Sequence, residues 1–226
     1  MVHLGLLCSQ FDPDNFAAFL KVAKLYGLNS VHEPFWMDWS LLSLAQFLKV
    51  EPLHHFFHMS WDHDIQWCIL VVGEDEIDYH FSLLQTPVSY HSFGNGISKL
   101  KQVTGCDHHS IQQYLVCIVA GAVSLCFLAA IHALLDFHYL TQMPVFNVQA
   151  LAKLDAALAL FYTHKHAIIA AGAHCKHFKI PKLELMQHVI PSICASGAPL
   201  QCLADITEHA HVTEIKNPAC AGNNQN

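Results

Sequence analysis

Histidines and acids that share helix faces are the residues of this chain best suited to chemistry. His54 and His58 lie four residues apart, a spacing that can bind zinc on a helix. In a zinc-protease helix a glutamate follows the first histidine, but His55 stands there in this chain. Glu208 and His211 are three residues apart and would also share a helix face. For both pairs the alternative is a polar helix face, solvated or partly buried, that binds nothing.

Other clusters carry weaker indications. Residues 164–187 contain His164, His166, His174, Cys175 and His177, but these show no fixed metal-ligand spacing. The nine cysteines are scattered without a C-x-x-C pair, which is typical of reduced intracellular thiols. The lysines form three small groups that could contact DNA or be solvated: Lys21 and Lys24; Lys99 and Lys101; Lys176, Lys179 and Lys182.

Composition weighs against an intact nucleic-acid binder. The chain has 226 residues, a net charge of −7 and only 13% charged residues. All 11 of its basic residues are lysine, while 19 are histidine. A DNA-binding domain normally presents a basic surface, and arginine is the side chain suited to bidentate phosphate contacts. The sequence therefore disfavours phosphate recognition by this chain.

One long helix, from Glu51 to Gly73, is the element that positions most of these groups. Pro52 suits a first helical position, and Gly73 suits a helix end because glycine adopts positive φ without strain. An apolar face recurs at steps of three and four residues, through Leu53, Phe57, Trp61, Asp64/Ile65 and Cys68. The plainest interpretation is a buried helix with a histidine-rich flank.

The remaining pattern predicts a mainly α, bundle-like fold with little or no sheet. We divide it into a helical lead-in, 1–50, in which Trp36 and Trp39 pack together, and a helical region, 51–226. Asp12 or Asp14 would cap the first helix, and Pro181 would begin the last one predicted. Helices are predicted over 11–27, 41–48, 51–73, 74–85, 97–103, 107–140 with an interruption, 148–173 and from 181 onwards.

An uncharged run from Leu115 to Ile131 is a candidate membrane span, because about 20 apolar residues can span a bilayer. The run is shorter than that, and no lysine lies close enough to set an orientation. Gly121 and Ser124 favour an interruption between two shorter buried helices. A membrane span over 115–131, or a slightly longer one over 115–135, is the alternative. The first residues lack the basic region of a signal peptide.

Several strings in this chain resemble a known family. EPLHHFFHMSWDHDIQWC at 51–68 is similar to the second catalytic-acid segment of Plavaka transposases, the fungal relatives of CACTA-type cut-and-paste elements. The resemblance extends over 31–225. Its other strings are EPFWMDW (33–39), GISKLKQVTG (96–105), IPKLELMQ (180–187) and ADITEHAHVTEIKNPACAGNNQ (204–225).

The resemblance implies a metal-dependent nuclease of RNase H-like fold, in which three acids hold two Mg²⁺ or Mn²⁺ ions. It places the second acid at Glu51 and the third at Glu208, with 208 − 51 = 157 residues between them. His54 and His211 would support these acids, and Lys99 and Lys101 would contact DNA. The intervening helices would be the insertion domain of such elements.

Two departures from the family pattern predict a chain without catalytic activity. The second acid is commonly aspartate in the wider group, and Glu51 is one methylene longer. The first acid and its strand would lie upstream of this chain, which makes the chain a fragment from the C-terminal half. We therefore expect no cofactor for this chain itself.

The absence of arginine also favours degeneration of the gene. Histidine or cysteine stands at four positions where the family usually carries arginine, and single C-to-T changes convert many arginine codons in this way. These positions are Cys106, His132, His138 and Cys220. The alternative is a lineage with little arginine.

Three functions stay open at this stage. The first is a degenerate transposase fragment, nuclear if it functions at all and otherwise intracellular. The second is a helical interaction module that contacts a full-length transposase. The third is a membrane protein anchored by 115–131, which we consider the weaker alternative. DNA is the partner of the parent family, and its binding by this chain is doubtful.

Overall fold

A computed structural model describes residues 2–26, 31, 33, 38–39, 49–85, 91–100, 103–174 and 177–221. The chain divides into two units, residues 1–47 and 48–226. Every regular element in the described ranges is helical and none is a β-strand, which confirms the predicted fold class. The predicted helix over 41–48, and the packing of Trp36 on Trp39, lie outside the described residues.

The first unit contains α1 (Val2–Gln10) and α2 (Phe16–Leu25). The side chain of Asn15 caps α2 by accepting a hydrogen bond from the Ala18 N–H at 3.4 Å. The predicted start near Asp12 or Asp14 was therefore wrong, because the cap lies one to three residues later. Helix α1 was not predicted. Phe19 and Ala23 form the buried face of α2.

The second unit begins with the long helix predicted over 51–73. The chain is helical without interruption from Pro52 to Val72, with π-helical turns at Leu53–Phe57 and Ser60–Ile65 before α3 (Gln66–Val72). Its end at Gly73, with φ of 101°, confirms the predicted helix stop. The π-helical turns were not predicted; such turns are often found at functional sites.

Helix α4 (Glu74–Ser82) follows directly and confirms a second prediction. It holds a loop in place through Asp78, whose Oδ1 accepts hydrogen bonds from the N–H groups of Ile97 and Ser98 at 2.7 and 2.8 Å. A helix was predicted over 97–103, of which 101–102 lie outside the described residues. Residues 97–100 form a turn instead, so that prediction was wrong.

The uncharged run is divided between α5 (Gly105–Val119) and α6 (Leu125–Thr141). Gly121 lies between them with φ of 89°, and the Ser124 hydroxyl caps α6 by accepting from the Phe127 N–H. The predicted interruption at these two residues is confirmed. No helix in the ranges that the structure describes is long and apolar enough to cross a membrane.

Helix α6 packs along α7 (Val148–His164), which Asn147 caps. The predicted helix over 148–173 is interrupted at Lys165, beyond which α8 (His166–Ala170) begins. Pro181 begins α9 (Pro181–Met186), as predicted, and α10 (Val189–Ser196) follows. The core is centred on five fully buried aromatic rings: Phe56, Phe81, Phe127, Phe137 and Phe161.

The described chain ends in a helical stretch with little core contact. After a short 3₁₀ turn at Pro199–Cys202 come α11 (Asp205–His211), π-helical Val212–Lys216 and α12 (Asn217–Ala221). Neither Val212–Lys216 nor α12 has a buried residue. Glu208 lies in α11, and its side chain is outside the described part.

Candidate functional site

The carboxylate of Glu51 caps the long helix. Its Oε2 accepts a hydrogen bond from the His54 backbone N–H at 2.8 Å and lies 2.7 Å from His54 Nδ1. An acceptor at this position satisfies an amide that has no partner in the first helical turn, and the helix dipole favours its negative charge. The Glu51 side chain is 17% exposed and that of His54 is 50% exposed.

The second carboxylate oxygen of Glu51 reaches a distant segment. Its Oε1 accepts a hydrogen bond from the Ala204 N–H at 2.9 Å, across 153 residues of sequence. Ala204 immediately precedes α11, the helix that contains Glu208 and ends at the exposed His211. The two segments predicted to carry catalytic acids therefore lie together, with one acid forming the contact between them.

The two lysines predicted to contact DNA are only partly described. Lys99 is exposed in the turn held by Asp78, whereas Lys101 lies outside the described residues. Burial alone would raise the pKa of Asp78, but hydrogen bonds from Ser98 and Ile97, with Lys99 nearby, lower it. The loop is thus fixed by a carboxylate that stays ionised, and Lys99 is presented to solvent.

The histidine-rich segment 164–177 forms packing contacts. The His174 ring lies 5.5 Å from the Trp67 ring and 5.1 Å from Phe178, measured between centres. Lys165 Nζ sits 4.4 Å from the centre of the Tyr162 ring. Among the described residues, no group of three histidine, cysteine, aspartate or glutamate side chains could hold a metal ion.

Sequence reasoning missed a buried polar pair between the inner face of the long helix and α6. Asp64 and His138 are both fully buried, with Oδ2 and Nδ1 3.8 Å apart, which is too far for a hydrogen bond. Burial raises the pKa of Asp64 well above its usual range, an effect that the nearby Ser60 hydroxyl opposes. Burial lowers the pKa of His138 to about 3. Burial thus favours the uncharged form of both groups.

A second buried pair was also missed. His108 and Gln112, one turn apart on α5, are 1% and 2% exposed, and their side-chain nitrogen and oxygen atoms have no hydrogen-bond partner. Burial lowers the pKa of His108 to about 4. Its ring lies beside His58, which is part-exposed on the long helix. The sequence offered no indication of this pair, because neither residue belongs to a recognisable motif.

These features define an all-helical protein whose candidate site is the junction of the long helix with the segment leading into α11. Residues 3–68 match the family model described as Plavaka transposase, a match that includes Glu51, His54 and both π-helical turns of the long helix. The match begins at residue 3 rather than at 31, where the resemblance noted above begins. No curated protein and no solved structure matches the chain.

Proposed function

We propose that this chain carries the second- and third-acid segments of a Plavaka-type transposase, joined by a helical insertion, and that it does not cleave DNA by itself. The observation that supports this most is the double use of the Glu51 carboxylate. One oxygen binds the start of its own helix, and the other binds Ala204 ahead of the helix that contains Glu208. The acid therefore braces the junction.

Magnesium chemistry at this junction would need a different arrangement. Two-metal cleavage of a phosphodiester requires carboxylate oxygens that face the ions, and Mg²⁺ binds such hard oxygen ligands. Both Glu51 oxygens instead accept N–H groups. Because both oxygens are used in backbone contacts, we assign Glu51 a structural role. Degeneration of an ancestral active site is consistent with this use of the acid.

A nuclease assay tests the proposal. We expect the purified chain to leave supercoiled plasmid uncut with Mg²⁺ or Mn²⁺, over a range of salt concentrations. Metal-dependent nicking that disappears in Glu51→Gln, but persists in the exposed control Glu214→Gln, would refute it.

A stability measurement tests the bracing role separately. Glu51→Ala removes an ionised acceptor of two backbone hydrogen bonds, and a bond to a charged group contributes about 1.5–3 kcal/mol. We expect urea unfolding to show a loss of about 3 kcal/mol or more, whereas Glu214→Ala changes stability by less than about 0.5 kcal/mol. An unchanged free energy of unfolding in Glu51→Ala would contradict the bracing role.

A second candidate, an interaction module that contacts an intact transposase, is favoured by the C-terminal helical stretch. Its apolar side chains Val212 and Ile215 are 39% and 57% exposed. Co-precipitation with a full-length transposase should then be lost in a Val212→Asp/Ile215→Asp variant. Equal capture of this variant and the unaltered chain would count against the module.

A further inference from the structure

The unpartnered pair on α5 requires a physical explanation. Buried side-chain polar atoms are nearly always hydrogen-bonded, and those that are not commonly contact a water molecule or an ion. His108 and Gln112 are four residues apart on one helix, so they lie on the same face. All four of their side-chain nitrogen and oxygen atoms are buried without a partner.

A second imidazole lies at a distance that suits a shared metal ion. A zinc ion about 2.0–2.1 Å from a ring nitrogen lies about 3.2 Å from the ring centre, so two imidazoles on a tetrahedral ion have centres about 5 Å apart. The ring centres of His58 and His108 are 5.3 Å apart. His58 is part-exposed, which gives an ion a route from solvent.

We propose that His58 and His108 bind one divalent ion of the zinc class, with the amide oxygen of Gln112 as a further ligand. Water completes the coordination sphere, because no three histidine, cysteine or acidic side chains of the described ranges could hold a metal. Imidazole favours Zn²⁺, Cu²⁺ and Ni²⁺ over Mg²⁺. The proposal is therefore independent of the transposase chemistry above.

The surrounding charges favour a dication. The ionised side chains that act on the two imidazoles are three acids and one base: Glu51, Asp62, Asp107 and Lys182. Lys182 pairs with Asp62 at 3.1 Å and offsets the charge of one of the three acids. Burial also lowers the pKa of both histidines, so at pH 7 their nitrogens carry the lone pairs that a metal needs.

Calorimetric titration of Zn²⁺ into the full chain at pH 7 tests the site. We expect one ion per chain. In His58→Ala the Zn²⁺ affinity should fall at least about tenfold, because removing even an outer-shell partner of a metal ligand causes a loss of that size. Gln112→Leu should fold, because it replaces an unpartnered buried amide by an apolar side chain of similar size. We expect it to weaken binding less than His58→Ala does.

Two controls separate this site from others. His132→Ala removes an exposed histidine of α6 and should leave Zn²⁺ affinity unchanged. His54→Ala tests the exposed face that His54 and His58 share, and should also bind normally. Loss of binding in His54→Ala together with full binding in Gln112→Leu would place the ion on that face and overturn the proposal. Absence of Zn²⁺ binding by the unaltered chain would overturn it too.

Discussion

Replacing His138 by leucine should reveal the charge state of the buried pair formed by Asp64 and His138. The His138 ring and the Asp64 carboxylate are both fully buried, 3.8 Å apart at their nearest polar atoms. If they form an ion pair, removing one partner leaves an uncompensated charge and costs about 3–5 kcal/mol. If both are neutral, the leucine removes a polar group that has no hydrogen bond.

The neutral pair predicts a small effect at pH 7. Relieving an unsatisfied buried polar group gains about 1–3 kcal/mol. Against this stands the loss of the stacked contact between His138 and Phe56, whose ring centres are 5.7 Å apart, worth about 0.5–1.5 kcal/mol. We therefore expect the stability of His138→Leu to lie between about 0.5 kcal/mol below and about 2.5 kcal/mol above that of the unaltered chain.

The pH dependence gives a larger and sharper effect. The pKa of His138 falls from 6.5 to about 3 on folding, so its contribution to stability is complete above pH 6.5 and is lost as pH falls towards 3. Each pH unit in that window changes the free energy of unfolding by about 1.4 kcal/mol. The difference in free energy of unfolding between His138→Leu and the unaltered chain should therefore shift by about 3 kcal/mol in favour of the variant as pH falls from 6.5 to 4.

Asp64 has the opposite sign. Its folded pKa is raised, so its contribution is complete below the unfolded value of 3.8 and is lost as pH rises. In the unaltered chain this offsets His138, whereas in His138→Leu it acts alone. The His138→Leu variant should consequently become less stable as pH rises from 4.

Urea unfolding followed by circular dichroism at pH 4, 5, 6 and 7 measures these effects. His132→Leu is the matched control, because His132 lies on the same helix with its side chain 58% exposed. It should change neither the free energy of unfolding at pH 7 nor the pH dependence of that free energy. If His138→Leu lowered the free energy of unfolding at pH 7 by 3 kcal/mol or more and left its pH dependence unchanged, the pair would not be neutral.

Three further variants test the local structure of the second unit. Gly96→Ala should lower the free energy of unfolding, measured in urea, by more than about 1 kcal/mol. Gly96 has φ of 77°, and an added Cβ would overlap the Asp78 carboxylate; an unchanged free energy of unfolding would mean that this loop adapts. Thr104→Ala removes one half of the capping box at the start of α5 and should cost about 1 kcal/mol, with Thr163→Ala on the exposed surface as the control. Lys182→Met breaks only a part-exposed ion pair and should change stability by less than about 1 kcal/mol. Because the Lys182 charge lowers the pKa of His58, NMR titration of this variant should show a higher pKa for His58, and a lower one would contradict that effect.

Helix ends were predictable where one residue type dictates the backbone. Gly73 and Gly121 adopt positive φ, and Pro181 begins a helix, as the sequence indicated. The stretch before α2 offers several competing caps, and there the choice of Asp12 or Asp14 over Asn15 was wrong. The interruption at Lys165 had no local indication, because lysine is a good helix former.

The candidate site depended on contacts that spacing cannot reveal. The apolar periodicity of the long helix placed Asp64 on its inner face, yet the approach of His138 required the packing of α6. Likewise, only the fold brings Ala204 to Glu51. The catalytic assignment of Glu51 and Glu208 came from the family resemblance, and it stays a prediction.

The sequence separation of the Glu51–Ala204 contact predicts the order in which parts of the second unit form during folding. It joins residues 153 apart, whereas α6 and α7 are neighbours connected by the short loop 142–147. Contacts between chain neighbours incur a smaller loop-closure entropy and form first, so the Glu51 contact forms late. A late contact governs the unfolding rate rather than the folding rate. The segment that begins at Ala204 is therefore the part of the unit we expect to detach first and to exchange its amide hydrogens soonest.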